Sequence, residues 1–528
     1  MPASAPCRRR FARAALLLAL AAVAGCGPAG LPLPRERREA TGPLAVHPDN
    51  PRYFADPSGR VVYLTGSHTW ADLVDSGWRH PPEPFDFDEF LAALEGYGHN
   101  CLRLWTWEQG SGSAESPEPY WFAPLPFERS GPGTARDGLP RFDLTRFDDR
   151  YFERLRARVA AARRRGFYVL VMLFDGWSIE DKQRGIGNPW LGHPFHRDNN
   201  VNGVDGDADG DGEGHEVHTL ADPAITRFQE AYLRRVIETL SDQANVLWEV
   251  SNESHADSQE WQAHVIGFVR ELEAARPQQH PIGMTAQYPG GHDETLYASA
   301  ADWISPGGGS QGAGMREPTV ADGRKVMLAD TDHLCGVCGD PGWPWRAFTR
   351  GQNPLLMDPW EQRVGVGTPR GFRPHSPWWE RMRRALGDTL AYAERIDLAG
   401  LEPRPELCST RFCLGPRGPA TRELLAYLPE AGPIRLDLSR ASGPFRVEWY
   451  HPGPAVRIDG GVVQGGGIVA LEAACRWTFP GLSRAAWRSF VESPCGDAVV
   501  YLRGDAHSAA APAARLSAGA ATGVGAGA

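Results

Sequence analysis

The chain has 528 residues, 42% hydrophobic and 10% aromatic, which is enough for one large core and a smaller one. Nothing in a net charge of −10 suggests a nucleic-acid surface, because phosphate binding needs clustered Lys and Arg. Lys182 and Lys325 are the only lysines, so the basic charge is almost all Arg, which reads as genome composition. Eighteen Trp and thirteen Tyr serve core packing or the stacking of sugar faces.

The N-terminus reads as a targeting segment. Arg8-Arg9-Arg10 and Arg13 form a basic region, and Ala14 to Ala24 an apolar one too short to span a bilayer. Val23-Ala24-Gly25-Cys26 resembles a bacterial lipoprotein signal; an ordinary secretory signal is the alternative. Residues 1–25 are then a signal peptide, and a lipid on Cys26 anchors an exported protein to the cell envelope. Residues 26–44 form a tether.

From residue 45 apolar strands alternate with helices. Val61–Leu64, Cys101–Trp105, Phe167–Phe174 and Val246–Val250 are the first four strand candidates. Ile282–Thr285, Trp303–Ser305, Val326–Ala329 and Leu355–Met357 are the next four. Helical spacing marks 86–97, 147–165, 224–241, 257–276 and 376–396. Continuous apolar strands between helices indicate a parallel sheet covered on both faces. The fold class is therefore α/β, with a (β/α)8 TIM barrel over 45–400. A doubly wound open sheet is the alternative, weakened by the lack of a Gly-rich phosphate turn after the first strand. Beyond 408 the period becomes two, and 408–505 reads as a small antiparallel β-sandwich. The Ala/Gly/Ser-rich 506–528 reads as a disordered tail.

Export permits disulfides. Apart from Cys7 and Cys26 the cysteines are 101, 335, 338, 408, 413, 475 and 495, an odd set that leaves at least one unpaired. Cys335-Gly-Val-Cys338 is a local disulfide or half a metal site. No second CxxC or HxxxH completes a zinc set.

In a barrel, chemistry sits at the carboxyl ends of the strands. Those ends carry His68 and Trp70; Arg103, Trp105 and Glu108; Asp175 and Trp177; Asn252 and Glu253; Gln287 and Tyr288; Asp330, Asp332 and His333; and Asp358 and Trp360. Glycoside cleavage needs two carboxyl groups flanking the scissile bond. Glu253 on the fourth strand and Asp330 or Asp332 on the seventh could face each other across a sugar. In an ideal strand Asp330 and Asp332 point to the same side. Asn252, one residue before Glu253, carries an amide suited to a sugar 2-OH. His68, Trp70, Arg103, Trp105, Asp175, Trp177, Asn252, Tyr288 and His333 make up the expected substrate-binding set. A rim histidine bonded within the protein is the plain alternative for His68, and an interior charge orienting Glu253 is the alternative for Arg103.

An Asn-Glu pair after strand four with a carboxylate after strand seven resembles the retaining TIM-barrel clan of glycoside hydrolases. More narrowly, YFADPSGRVVYLTGSHTW (53–70), NCLRLWTWE (100–108), NVLWEVSNES (245–254), KVMLADTDHL (325–334) and FTRGQNPLLMDPW (348–360) resemble the apiosidase-like family. The C-terminal region resembles the collagen-binding module that often follows that barrel. The resemblance implies Glu253 as general acid/base and a nucleophile at Asp330, where the clan usually has Glu. With Asp here and Asp332 two residues on, the nucleophile and the choice between retention and inversion stay open.

Asp205, Asp207, Asp209, Asp211 and Glu216 fit the DxDxDG…E calcium loop, with Gly210 at the sharp turn. The expectation is a structural Ca2+ and no cofactor for catalysis; a solvated acidic loop is the alternative. Taken together, the expected protein is a monomeric, envelope-anchored glycosidase with a carbohydrate substrate and no nucleic-acid partner. The competing reading is a non-catalytic glycan- or matrix-binding lipoprotein. A peptidase role ranks low, since no HExxH occurs.

Overall fold

The computed structural model describes residues 38–307, 313–360, 373–473 and 496–504. The expected signal peptide, Cys26 and the 506–528 tail lie outside the described residues. Among those residues, no helix is long and apolar enough to cross a membrane.

Eight parallel strands close into a barrel in chain order. They are β1 Gly66–His68, β2 Cys101–Leu104, β3 Tyr168–Asp175, β4 Val246–Asn252, β5 Ile282–Thr285, β6 Trp303–Ser305, β7 Val326–Asp330 and β8 Asn353–Met357. The register is continuous from Leu170 opposite Arg103 to Asp175 opposite Asn252. The first strand is a correction. Val61-Val62 pairs with Phe54–Ala55 in a small antiparallel sheet completed by Ala45–Val46. Val62 and Leu64 pack with Cys101, Leu170, Leu247, Leu328 and Leu355 inside the barrel. That apolar run is a floor plug, and the wall strand begins two residues later. Gly66 permits it: a Cβ there would lie 1.8 Å from the Cys101 carbonyl oxygen.

The helices follow their apolar spacing. The main ones are α1 Phe87–Tyr97, α2 Asp149–Arg164, α3 Pro223–Leu240 and α4 Gln259–Ala274. The short α5 Asp293–Ala298, α6 Ala313–Arg316, α7 Thr331–Cys335 and α8 Trp343–Thr349 come next, and α9 Pro377–Ala393 closes the ring. In α2, Phe152, Leu155, Val159 and Ala162 form the buried stripe, and the Asp148 carboxylate caps the first turn by accepting from the Arg150 N–H. A disulfide joins Cys335, the last residue of α7, to Cys338.

The C-terminal strands are β9 Leu401–Pro403, β10 Cys413–Pro416, β11 Glu423–Leu428, β12 Pro433–Asp437, β13 Pro444–His451, β14 Val456–Gln464, β15 Ile468–Glu472 and β16 Ala498–Gly504. Six of them form one antiparallel sheet in the order β9-β10-β11-β16-β13-β14, and β12 pairs with β15. Period two divides the side chains. Leu425, Tyr427, Val499 and Tyr501 pack with Trp345, Phe348 and Tyr392 on the barrel helices. Leu424, Ala426, Val500 and Leu502 pack with Ile434 and Leu436 of the β12–β15 ribbon. Trp345 is the keystone, fully buried and parallel to Tyr427 at 6.3 Å. Trp345→Ala is expected to cost about 3 to 5 kcal/mol, read as a lower midpoint of thermal unfolding. An unchanged midpoint would show that this interface carries no stability.

Candidate active site

Strand alternation builds the site. Cys101, Leu247 and Leu328 line the lower barrel interior. Two residues on, the same faces carry Arg103, Glu249 and Asp330. The barrel is therefore apolar below and ionic above. Arg103 is 1% exposed. Its Nε and Nη2 donate to the two Glu249 carboxylate oxygens at 2.7 and 2.5 Å. Nη2 also donates to Asn252 Oδ1 at 2.8 Å, and Nη1 to Asp332 Oδ2 at 2.9 Å. The guanidinium lies 4.8 Å from the centre of the Trp105 ring.

Asn252 is locked by this cation. Its Oδ1 also accepts from His333 Nε2 at 3.1 Å, and its Nδ2 donates to Asp175 Oδ1 at 3.2 Å. Since Oδ1 can only accept, His333 carries its proton on Nε2, and Nδ1 accepts from the Ser305 hydroxyl at 2.7 Å. Burial, helped by the Arg103 cation, pushes His333 down to about 3, so the ring is neutral. Burial also raises the Asp175 carboxyl to about 7 against its bonds from Ser178 and Asn252.

The seventh strand departs from expectation. β7 ends at Asp330, and Asp332 stands in the first turn of α7, so the two carboxyls do not share a strand face. Asp330 caps α7, accepting from the Asp332 N–H at 3.0 Å, and pairs with His68 Nε2 at 2.9 Å. Burial alone would raise the Asp330 carboxyl; His68 and Arg103 outweigh it and hold it well below the usual carboxylate range. His68 stacks on Trp105 at 5.7 Å. Asp332 is the more open of the two and is raised to about 6, by burial first and by the Asp330 charge against Arg103.

Glu253 follows β4 in a left-handed conformation, φ +44°, which costs a non-glycine residue about 1 to 3 kcal/mol. Its backbone is held on both sides. The N–H donates to Thr285 Oγ1 at 3.2 Å, and the carbonyl accepts from Lys182 Nζ at 2.7 Å. Gly176 passes so close that a Cβ there would lie 2.4 Å from the Glu253 carbonyl oxygen. Oε2 accepts from the Trp177 indole N–H at 2.6 Å, which leaves Oε1 as the oxygen free to carry a proton. Burial, then repulsion from Asp332, raises the carboxyl to about 8. Next along the chain, the Ser254 hydroxyl meets His218 Nδ1 at 2.9 Å, and His218 Nε2 lies 3.2 Å from Glu108.

The expected contact residues divide into two groups. His68, Trp70, Arg103, Trp105, Asp175, Asn252 and His333 are at most 8% exposed. Arg103, Asp175, Asn252 and His333 bond to one another, and His68 bonds to Asp330, as charges in a low-dielectric interior must. Trp70 packs in the main core. Trp177 is half-buried and Tyr288 is 37% exposed, their rings parallel at 6.2 Å beside Glu253. Asp358, also expected on the rim, is consumed by Arg383 at 2.6 Å. Glu249, Lys182, His218 and Ser305 were missed. Only Glu249 carried a signal, as a charge inside an apolar strand.

In the acidic loop, carboxylate oxygens of Asp207, Asp209 and Asp211 lie within 4.8 Å of one another. Asp205 instead faces Arg197 at 3.8 Å. Glu216 accepts from the Ala208 and Asp209 amides at 3.0 and 3.1 Å.

Residues 113–289 match the family model DUF6298, described as a domain of unknown function. Comparison with curated proteins gives no match. Among solved structures, a protein titled glycoside hydrolase aligns with TM-score 0.52 and 12% identity, covering 88% of this chain and 97% of the other. A glycoside hydrolase family 5 protein from Bacteroides vulgatus aligns with TM-score 0.52 and 12% identity, covering 88% and 93%. What these proteins share with the chain is the fold.

The neutral state of His333 links stability to pH. The unfolded ring binds a proton below about pH 6.5 and the folded one only near 3, so stability is full above 6.5 and falls with acidification by up to about 1.4 kcal/mol per pH unit. His333→Gln is expected to flatten this slope in urea unfolding between about pH 4 and 7. An unchanged slope would show that the proton is taken up elsewhere.

Proposed function

We propose that the protein is a glycoside hydrolase that cleaves O-glycosidic bonds in a poly- or oligosaccharide by a retaining, two-carboxylate mechanism. The observation that carries this reading is the pair Glu253 and Asp332, two carboxyls at the carboxyl end of the barrel whose surroundings separate their proton affinities, to about 8 and about 6. Between those values Glu253 holds a proton and Asp332 is a carboxylate. Oε1 of Glu253 protonates the leaving-group oxygen while Asp332 attacks the anomeric carbon, forming a glycosyl ester and breaking the glycosidic bond. Glu253, now ionised, takes a proton from water, whose oxygen displaces Asp332 and restores both groups. Asp330 suits attack less well, because His68 and the α7 cap occupy its oxygens. In this reading Asp330, His68 and Arg103 position Asp332, and Trp177 with Tyr288 offers a stacking surface for the sugar. The narrower resemblance to the apiosidase-like family belongs to the same proposal.

The test is release of reducing sugar from pectic, hemicellulosic and bacterial glycans. Glu253→Gln and Asp332→Asn are expected to lose about 10²- to 10⁴-fold in kcat, and Asp330→Asn less. The wild-type rate rises as Asp332 deprotonates near 6 and falls as Glu253 loses its proton near 8. NMR of the first-formed anomer shows retention. Full activity in Glu253→Gln or Asp332→Asn sinks the assignment, and tight glycan binding without release favours the non-catalytic binding protein.

We also propose that the acidic loop holds a structural Ca2+. The EF-hand spacing supports it, as does the buried Asp207 Oδ1, which has no hydrogen-bond partner. Added Ca2+ is expected to raise the thermal midpoint of chelator-treated protein, and Asp207→Asn with Asp209→Asn to abolish the rise. No shift in the wild type rules the ion out.

A further inference from the structure

Only two of the 55 Lys and Arg residues are lysines, and both end among backbone carbonyls. Lys325 Nζ donates to the carbonyls of Ser299 and Ala301 at 3.0 and 2.5 Å. Lys182 is the more enclosed, with a side chain 0% exposed. Its Nζ donates to Glu180 Oε1, to the Glu253 carbonyl and to the Tyr288 carbonyl, each at 2.7 Å. Three acceptors converging on one point suit a tetrahedral ammonium with three donors. The planar guanidinium fork spreads its donors and cannot meet them. That geometry explains a lysine here in a chain whose basic residues are almost all arginine.

The three acceptors belong to three connections: after β3, at the end of β4, and after β5. Lys182 itself sits at φ +56° and Gln183 at +59°, so strained backbone is spent on both sides of the contact. The ammonium lies 6.0 Å from the centres of both the Trp177 and Tyr288 rings. The other oxygen of Glu180 is 3.0 Å from His215 Nε2.

We propose that Lys182 is a positioning residue for the acid: its ammonium ties the Glu253 carbonyl to the β3 and β5 loops, holds the left-handed turn that aims the carboxyl, and sets a fixed cation beside it. The proposal rests on Glu253 being that acid. The charged groups facing Glu253 are Asp332 from α7, Arg103 from β2 and Lys182. Asp332 raises its proton affinity and the two cations lower it, so losing Lys182 must move the titration to higher pH.

The test needs no substrate. The Trp177 indole N–H bonded to Glu253 reports that carboxyl in 15N NMR of the full chain, assigned with Trp177→Phe. The wild-type resonance is expected to titrate near pH 8. In Lys182→Met the midpoint rises by about half a pH unit or more. Lys182→Arg keeps the charge and the midpoint but displaces the resonance at every pH, because the carbonyl cage is no longer met. Lys182→Met titrating at the wild-type midpoint overturns the proposal. If circular dichroism shows that variant unfolded, a Lys182→Arg spectrum that superimposes on the wild type overturns it instead. Glu253→Gln removes the titration; a resonance that still titrates there refutes the reading of Glu253 and leaves Lys182 unassigned as its partner.

Discussion

The rest of the site depends on one buried cation. Arg103 stands inside the barrel where water does not reach, and its donors meet Glu249, Asn252 and Asp332. A guanidinium there is tolerable only if every donor is matched, and removing one partner of such a pair costs about 3 to 5 kcal/mol. The matching has a structural consequence. It draws the ends of β2, β4 and the first turn of α7 to one point and orients Asn252, while burial, helped by this cation, keeps His333 neutral.

Around this fixed centre the site separates two kinds of residue. Those that hold are buried and use their polar atoms on one another: Arg103, Glu249, Asn252, His333, His68 and Asp330. Those with exposed surface are Trp177 and Tyr288, while Glu253 and Asp332, the latter with a side chain 6% exposed, lie nearer the buried network. Glu253 is strained in its backbone and unfavourably buried as an ion, and both costs fit the role of acid proposed for it. The strain persists because Thr285, Lys182 and Gly176 fix the turn from three sides.

The C-terminal sheet serves the barrel mechanically. One of its faces covers the aromatic outer surface of α8 and α9, where Trp345 and Tyr392 would otherwise meet water. Its other face is closed by the β12–β15 ribbon. A sheet apolar on both faces at period two is stable only when both are covered, which is why this module and the barrel share a core.

Local pattern made much of this legible. Apolar runs bounded by turns mark seven of the eight wall strands, and stripes at helical spacing mark α1 to α4 and α9, because each element must bury one face. Glu253, placed at the end of such a run, was recognisable as rim chemistry for the same reason. The first wall strand was not legible: Gly66–His68 is short and polar, while its more apolar neighbour Val61–Leu64 closes the floor. Nor was the split between Asp330 and Asp332, since a helix begins where strand alternation was assumed to continue. The rarity of Lys182 is visible in the chain but its role is not, because that role exists only where three loops converge. The sequence by itself determined the alternation of elements, the apolar faces and the set of reactive side chains. Which of those side chains are spent on one another and which remain open was decided only when the barrel closed, because ion pairing in a low-dielectric interior depends on distances between strands far apart in the chain.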